Sequence, residues 1–108
     1  MIEGKRVAVV VPAHDEEELI GRTLASIPAF VDRIYVVDDR SQDATAARAA
    51  ESEDPRIEVI AHDQNRGVGA AIVTGYKRAL DEKVAVTAVM AADGQMDPDD
   101  LEEMAAAV

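Results

Sequence analysis

The chain predicts a doubly wound parallel α/β sheet, and three observations carry that reading. Short runs of β-branched and other apolar residues recur four times along 108 residues. Each run is followed by a stretch with helical apolar spacing, and the connections between them are short. Alternation of this kind implies parallel strands joined by right-handed crossovers. The expected architecture is a Rossmann-like three-layer sandwich: about four mainly parallel strands in the order 3-2-1-4, with helices on both faces.

Residues 7–11 form a continuous apolar run, the pattern of a strand buried on both faces. Pro12 ends it, because proline cannot donate to a central ladder. Ala13-His14-Asp15 then turns into a helix whose first turn carries Glu16, Glu17 and Glu18, which match the positive end of a helix dipole. Ile20, Thr23, Leu24 and Ile27 share one face of that helix, and Pro28 stops it. A second strand, 34–37, ends in Asp38-Asp39. Arg40-Ser41-Gln42-Asp43 is a turn, with Asp43 the expected cap of an alanine-rich helix over 44–53. Pro55 separates it from a third strand, 57–61. Residues 62–69 lead into a helix over 68–80 whose inner face is small and apolar: Ala71, Ile72, Gly75 and Ala79. The fourth strand starts at Val84 and runs into the loop Ala91-Ala92-Asp93-Gly94-Gln95. Asp97 is a good N-cap for the helix after it, with Pro98 at its first position and Asp99 and Asp100 in its first turn.

At 108 residues the chain is one domain, 1–108. Its formal net charge is −11, from 22 acids against 11 bases, which argues against nucleic acid or an anionic membrane surface as partner. A phosphorylated small molecule stays compatible, provided a cation bridges the two negative parties. No cysteine is present, which excludes disulfides and zinc–thiolate sites. The apolar run near the N-terminus is too short for a signal-peptide core or a membrane span, so a soluble, cytoplasmic chain is expected.

Every strand tip carries polar groups: His14, Asp15 and Glu16; Asp38 and Asp39; Asp63 and Asn65; Asp93 and Gln95. In a parallel sheet they share one edge, and open sheets bind ligands there. Turns favour Asp and Asn in any case, so part of this is expected of loops. The adjacent pair Asp38-Asp39 is less expected. Two such carboxylates resist ionising together unless something neutralises or hydrogen-bonds them, and a base imide, a ribose diol or a cation would each serve. The Asp93 carboxylate and Gln95 amide oxygen suit a hard divalent cation, while a helix cap or solvated turn is the plain alternative for Asp93. Gly67 and Gly69 are no dinucleotide fingerprint, since Pro12-Ala13-His14 follows the first strand, and they fit tight entry into the third helix instead. His14 and His62 stand far apart in sequence without partner ligands, which speaks against zinc.

Four stretches together resemble a family. PAHDEEELI, DDRSQDAT, NRGVGAAI and MAADGQMDP follow or precede the elements as in family 2 glycosyltransferases of the A-type fold. The likeness is greatest to the dolichyl- and polyprenyl-phosphate mannose synthase group, and it covers essentially the whole chain. The resemblance implies that Pro12, Ala13 and Glu16, with His14 and Asp15 beside them, line the pocket of a nucleoside-diphosphate sugar such as a UDP- or GDP-sugar. It implies that Asp38 and Asp39 hold base and ribose, that Asp93 binds Mg²⁺ or Mn²⁺ on the diphosphate, and that Gln95 is a second metal ligand. Three positions depart from the pattern: Ala91 replaces the first acid of Asp-x-Asp, Asp15 an asparagine, and Arg40 a glycine.

Family members also need a second half that supplies the acceptor site and the catalytic base, and no residue here is a good candidate for that base. The expectation is therefore the donor-binding half of a glycosyltransferase, an incomplete A-type fold that is inactive alone. Its exposed sheet edge favours a homodimer. Competing readings are a scaffold domain that has lost binding, a receiver-like phosphoacceptor domain and a nucleotidyltransferase. The last two lack their acids or loop at the required strands.

Overall fold

The computed structural model describes residues 4–90. Ala91, Asp93, Gln95 and the helix expected after Asp97 lie outside the described residues. Seven elements alternate: β1 (Val7–Ala13), α1 (Ile20–Ala25), β2 (Arg33–Asp38), α2 (Thr45–Ala50), β3 (Ile57–Ala61), α3 (Val68–Asp81) and β4 (Val86–Val89). The strands form one sheet in the order β3-β2-β1-β4, and every pair is parallel, as the sequence predicts.

Two apolar layers enclose the sheet, one on each face. Val7, Val9 and Val11 of β1 pack with Ile20 and Leu24 of α1 and Ala49 of α2. Ala8 and Val10, with Tyr35 and Val37 of β2, pack under Ala71 and Ala79 of α3. Each fully buried valine or isoleucine of β1 and β2 contributes about 1.5–3 kcal/mol of transfer free energy. Gly75 lets α3 approach β1: a Cβ there would stand 2.6 Å from Val10 Cγ2.

Several element boundaries differ from expectation. β1 continues through Pro12 to Ala13. Val10 O accepts from Met90, which places even-numbered residues of β1 on the β4 side. Pairing with β4 stops at Val10↔Val89, so the missing N–H of Pro12 falls just past the paired ladder. Helix α1 starts only at Ile20, and the amides of Asp15, Glu16 and Glu17 before it donate to Ser41 Oγ, Thr45 Oγ1 and Asp43 Oδ2, which ties this stretch to the β2–α2 connection. Helix α2 is likewise short, and Ala44 rather than Asp43 is its N-cap residue. Asp43 still serves the helix start from one position earlier, since its Oδ1 accepts from the Thr45 amide at 2.9 Å.

Helix α3 ends in a Schellman motif. The Lys83 amide donates to Leu80 O at 3.0 Å and the Val84 amide to Ala79 O at 3.0 Å, with Lys83 in the left-handed region at φ 59°. That motif uses residues 82–84 as a helix cap and defers β4 to Val86.

Candidate functional site at the strand tips

The sheet register sets the site. Ala13 pairs with Asp38, and Asp38 with Ala61, so β1, β2 and β3 end level. The next residue on each strand is His14, Asp39 or His62, and these three form one row across the C-terminal edge of the sheet. Backbone bonds extend the ladder into the row: the Asp39 amide donates to Ala13 O at 2.9 Å and the His62 amide to Asp38 O at 2.8 Å.

Asp39 is the hub, and it is 4% exposed. Its Oδ1 accepts from the Arg66 amide at 2.7 Å and from His62 Nδ1 at 2.9 Å, and its Oδ2 accepts from the Gly67 amide at 2.7 Å. Burial pushes the Asp39 carboxyl up, but the Arg66 amide, the His62 ring and the Gly67 amide outweigh it and hold the group below its ordinary value. Its backbone oxygen accepts from His14 Nδ1 at 2.8 Å. A carbonyl only accepts, so Nδ1 of His14 carries the hydrogen. The His14 Nε2 lies near the Asp15 carboxylate (3.4 Å) and Asn65 Nδ2 (3.5 Å), on an exposed side chain.

Asp38 is also buried, and Ser41 serves it twice, through its hydroxyl to Oδ1 and its amide to Oδ2 at 3.4 Å. Ser41 Oγ in turn accepts from the Asp15 amide at 2.8 Å, and Asp15 Oδ1 accepts from the Gln42 amide at 2.8 Å. The loops after β1 and β2 are thereby clasped together. The paired carboxylates thus find hydrogen-bond donors within the protein, and each has its own set. Asp43, beside them, is held below the usual carboxylate range chiefly by the Thr45 hydroxyl.

The structure brings His14, Asp15, Asp38 and Asp39 together, with Glu16 half-buried at the rim. Pro12 and Ala13 complete the β1 tip, although the Ala13 side chain belongs to the core. Asp63 gives its backbone oxygen to Arg40 Nη1 at 2.7 Å, and its exposed carboxylate reaches Arg66 at 3.5 Å. An open cleft of about 210 Å³ beside the clasp is lined by Asp15, Glu16, Glu17, Glu18, Leu19 and Asp43. Its carboxylates disfavour an anionic guest unless a cation accompanies it.

Sequence reasoning misses His62 and Ser41. It considers His62 only as a zinc ligand, yet His62 is the first residue past β3, level with His14 past β1 and Asp39 past β2. Among the described residues no group of three or more His, Asp or Glu side chains could hold a metal ion. Asp93 and Gln95 lie outside the described residues, and the chain that leads to them leaves β4 next to β1, with the Met90 amide donating to Val10 O at 3.0 Å.

A parallel sheet in this order, with its polar row at the carboxyl edge, is a Rossmann-like nucleotide-binding architecture, and the A-type glycosyltransferase fold shares it. The sequence profile described as Glycosyl transferase family 2 matches residues 8–108, and the chain belongs to that family. The chain is 31% identical to the UDP-N-acetylglucosamine–dolichyl-phosphate N-acetylglucosaminyltransferase of Methanococcus voltae, over 90% of this chain and 45% of that one. It is 32% identical to the undecaprenyl-phosphate mannosyltransferase of Micrococcus luteus, over 95% of this chain and 44% of that one. The chain spans less than half the length of these curated relatives. Among solved structures, glucosyl-3-phosphoglycerate synthase from Mycobacterium tuberculosis, in complex with Mn²⁺, uridine diphosphate and glucosyl-3-phosphoglycerate, superposes with a TM-score of 0.66 at 25% identity, over 82% of this chain and 34% of that one.

Proposed function

We propose that the chain is the donor-binding half of a glycosyltransferase, taking a nucleoside-diphosphate sugar together with a divalent cation. The observation that carries this reading is the level row His14, Asp39, His62 at the carboxyl edge of a family 2 sheet, clasped to Asp38 and Asp15 through Ser41. Pro12, Ala13, His14, Asp15 and Glu16 line the nucleotide side of the pocket. Asp38 and Asp39 stand where base and ribose are held, and the internal bonds of Asp39 give it the role of shaping the pocket. Asp93 and Gln95 offer the oxygen ligands that suit Mg²⁺ or Mn²⁺. Such a cation, held between Asp93 and the diphosphate, offsets the repulsion between an acidic protein and its anionic donor and stabilises the departing nucleoside diphosphate.

The acceptor class that fits best is a polyprenyl phosphate, because relatives of that activity match over nearly the whole of this chain. No residue among those described is assigned as catalytic base, and the chain by itself is expected to bind donor without transferring it. The test is a thermal-shift panel of UDP, GDP, CDP and TDP, each with and without Mn²⁺. Ligand at one hundred times its Kd stabilises the native state by about 2.7 kcal/mol. A shift that needs both one nucleotide and the metal, and that disappears in Asp93→Ala, is the expected result. No shift with any pair at millimolar ligand overturns the reading in favour of a scaffold domain, with Ala91 the first cause to examine.

A further inference from the structure

We propose that His62 is a positioning residue for nucleotide binding: its ring holds Asp39, and through Asp39 the loops at the tips of β1 and β3, in the arrangement a donor meets. The proposal rests on the donor-binding reading above and adds to it a residue that touches no substrate.

The His62 and Asp39 side chains are each 6% exposed, so neither is shaped by solvent. Both ring nitrogens are engaged: Nδ1 with Asp39 Oδ1 at 2.9 Å, and Nε2 with Thr74 Oγ1 of α3 at 2.8 Å. An ionised carboxylate only accepts, so Nδ1 carries a hydrogen. The ring therefore braces Asp39 against the body of α3, while the Arg66 and Gly67 amides bring the β3–α3 loop onto the same carboxylate. The backbone oxygen of Asp39 fixes His14 Nδ1, which leaves His14 Nε2 as the nitrogen turned towards Asn65 and the open edge. One buried ring thus sets the relative places of three loops at the edge where the ligand binds. A supporting group of this kind locks the groups that make direct contact.

Two conservative replacements separate positioning from general stability. Asparagine places its side-chain nitrogen where Nδ1 stands and keeps the bond to Asp39. Glutamine reaches the Nε2 position and keeps the bond to Thr74 while losing Asp39. Isothermal titration of UDP and of GDP, each with Mn²⁺, is run on the wild type, His62→Asn and His62→Gln, beside their thermal unfolding. The expected result is His62→Asn within about threefold of wild-type Kd and His62→Gln weaker by about tenfold or more, with melting temperatures that fall alike in both. Long-range ¹H–¹⁵N correlation of the wild-type ring is expected to show a protonated Nδ1. Equal Kd values in the two variants, or a ring protonated at Nε2 alone, overturn the proposal. A wild type that binds neither nucleotide but keeps Nδ1 protonated overturns the donor reading, and with it the binding role of His62, while the bond to Asp39 stands.

Discussion

Arg40 and Asp15, two of the positions where the chain departs from its family's usual residues, both adopt left-handed backbone, with φ 52° and 53°. For Asp15 the change from asparagine is benign, because Asp also visits this region and its Oδ1 accepts from the Gln42 amide as an asparagine oxygen would. Arg40 sits where glycine is usual, and a non-glycine residue there costs about 1–2 kcal/mol. Arg40→Gly is therefore expected to be more stable than Arg40→Ala by about 1 kcal/mol in urea unfolding, a comparison in which both variants lose the contact to Asp63 O; equal midpoints would refute the strain. Titrating groups make a second residue-scale prediction. Burial and the Glu82 carboxylate push the Tyr35 hydroxyl up to about 12. A raised folded value gives stability that is complete below the unfolded value of about 10 and is lost as pH rises towards 12. On the acid side Arg56 holds Asp54 below the usual carboxylate range, with contacts at 2.7 and 3.0 Å, and Arg56 also donates to Pro28 O and Val31 O. That contribution is present above about pH 4 and fades as pH falls further. Asp54→Asn should cost about 1–2 kcal/mol at pH 7 and much less at pH 3. An unchanged difference across that range would show that the ion pair adds nothing.

At the scale of elements, the two glycines of α3 predict opposite outcomes for one substitution. Gly69→Ala meets open space and should stabilise by up to about 1 kcal/mol through helix propensity. Gly75→Ala gains the same propensity but drives a methyl into Val10, and overpacking of about 1–3 kcal/mol should leave a net loss. Chemical denaturation of the pair checks the sign at each site. The sequence foresaw this inner face in Ala71, Gly75 and Ala79, because small residues at helical spacing have little use other than close approach, whereas Ile72, expected on the same face, is only half-buried. It foresaw the four strands too, since β-branched runs between turn residues leave few alternatives. Helix starts were less legible. The stretch before α1 is held by Ser41, Asp43 and Thr45, which lie 26 to 29 residues away from the amides they take. The Schellman end of α3 was hidden because Lys83, and not glycine, occupies its left-handed position. The site was half legible: acids at strand tips could be read off, but the His62–Asp39 bond spans 23 residues and follows only from register.

Across the whole molecule, the sheet order leaves β3 and β4 at its two edges, and the edges are not equivalent. The amides of Val86 and Met90 point to β1, bonding Arg6 O and Val10 O. By the alternation of a parallel strand, those of Thr87 and Val89 point outward. Among the described residues this outer side has no paired strand, and an open edge of apolar residues is a template for a second chain. The nearby α3 adds Val73, Tyr76 and Leu80 at helical spacing, with Leu80 74% exposed. Self-association of the 108-residue chain through β4 is the expected consequence, most simply as a dimer about a twofold axis. Light scattering from about 5 to 500 μM should show the mass rising towards twice the monomer, and a stable interface needs about 1,200–2,000 Å² of buried surface. Thr87→Pro separates the edge from the helix face. It removes an outward N–H without breaking the ladder to β1, and proline is tolerated on such an edge. A monomeric Thr87→Pro beside a dimeric Leu80→Glu assigns the contact to β4, because only the edge variant has lost a strand-pairing donor. A wild-type chain that stays monodisperse and monomeric across the whole series would mean that the edge is blunted within the chain itself, and the dimer would have to be abandoned.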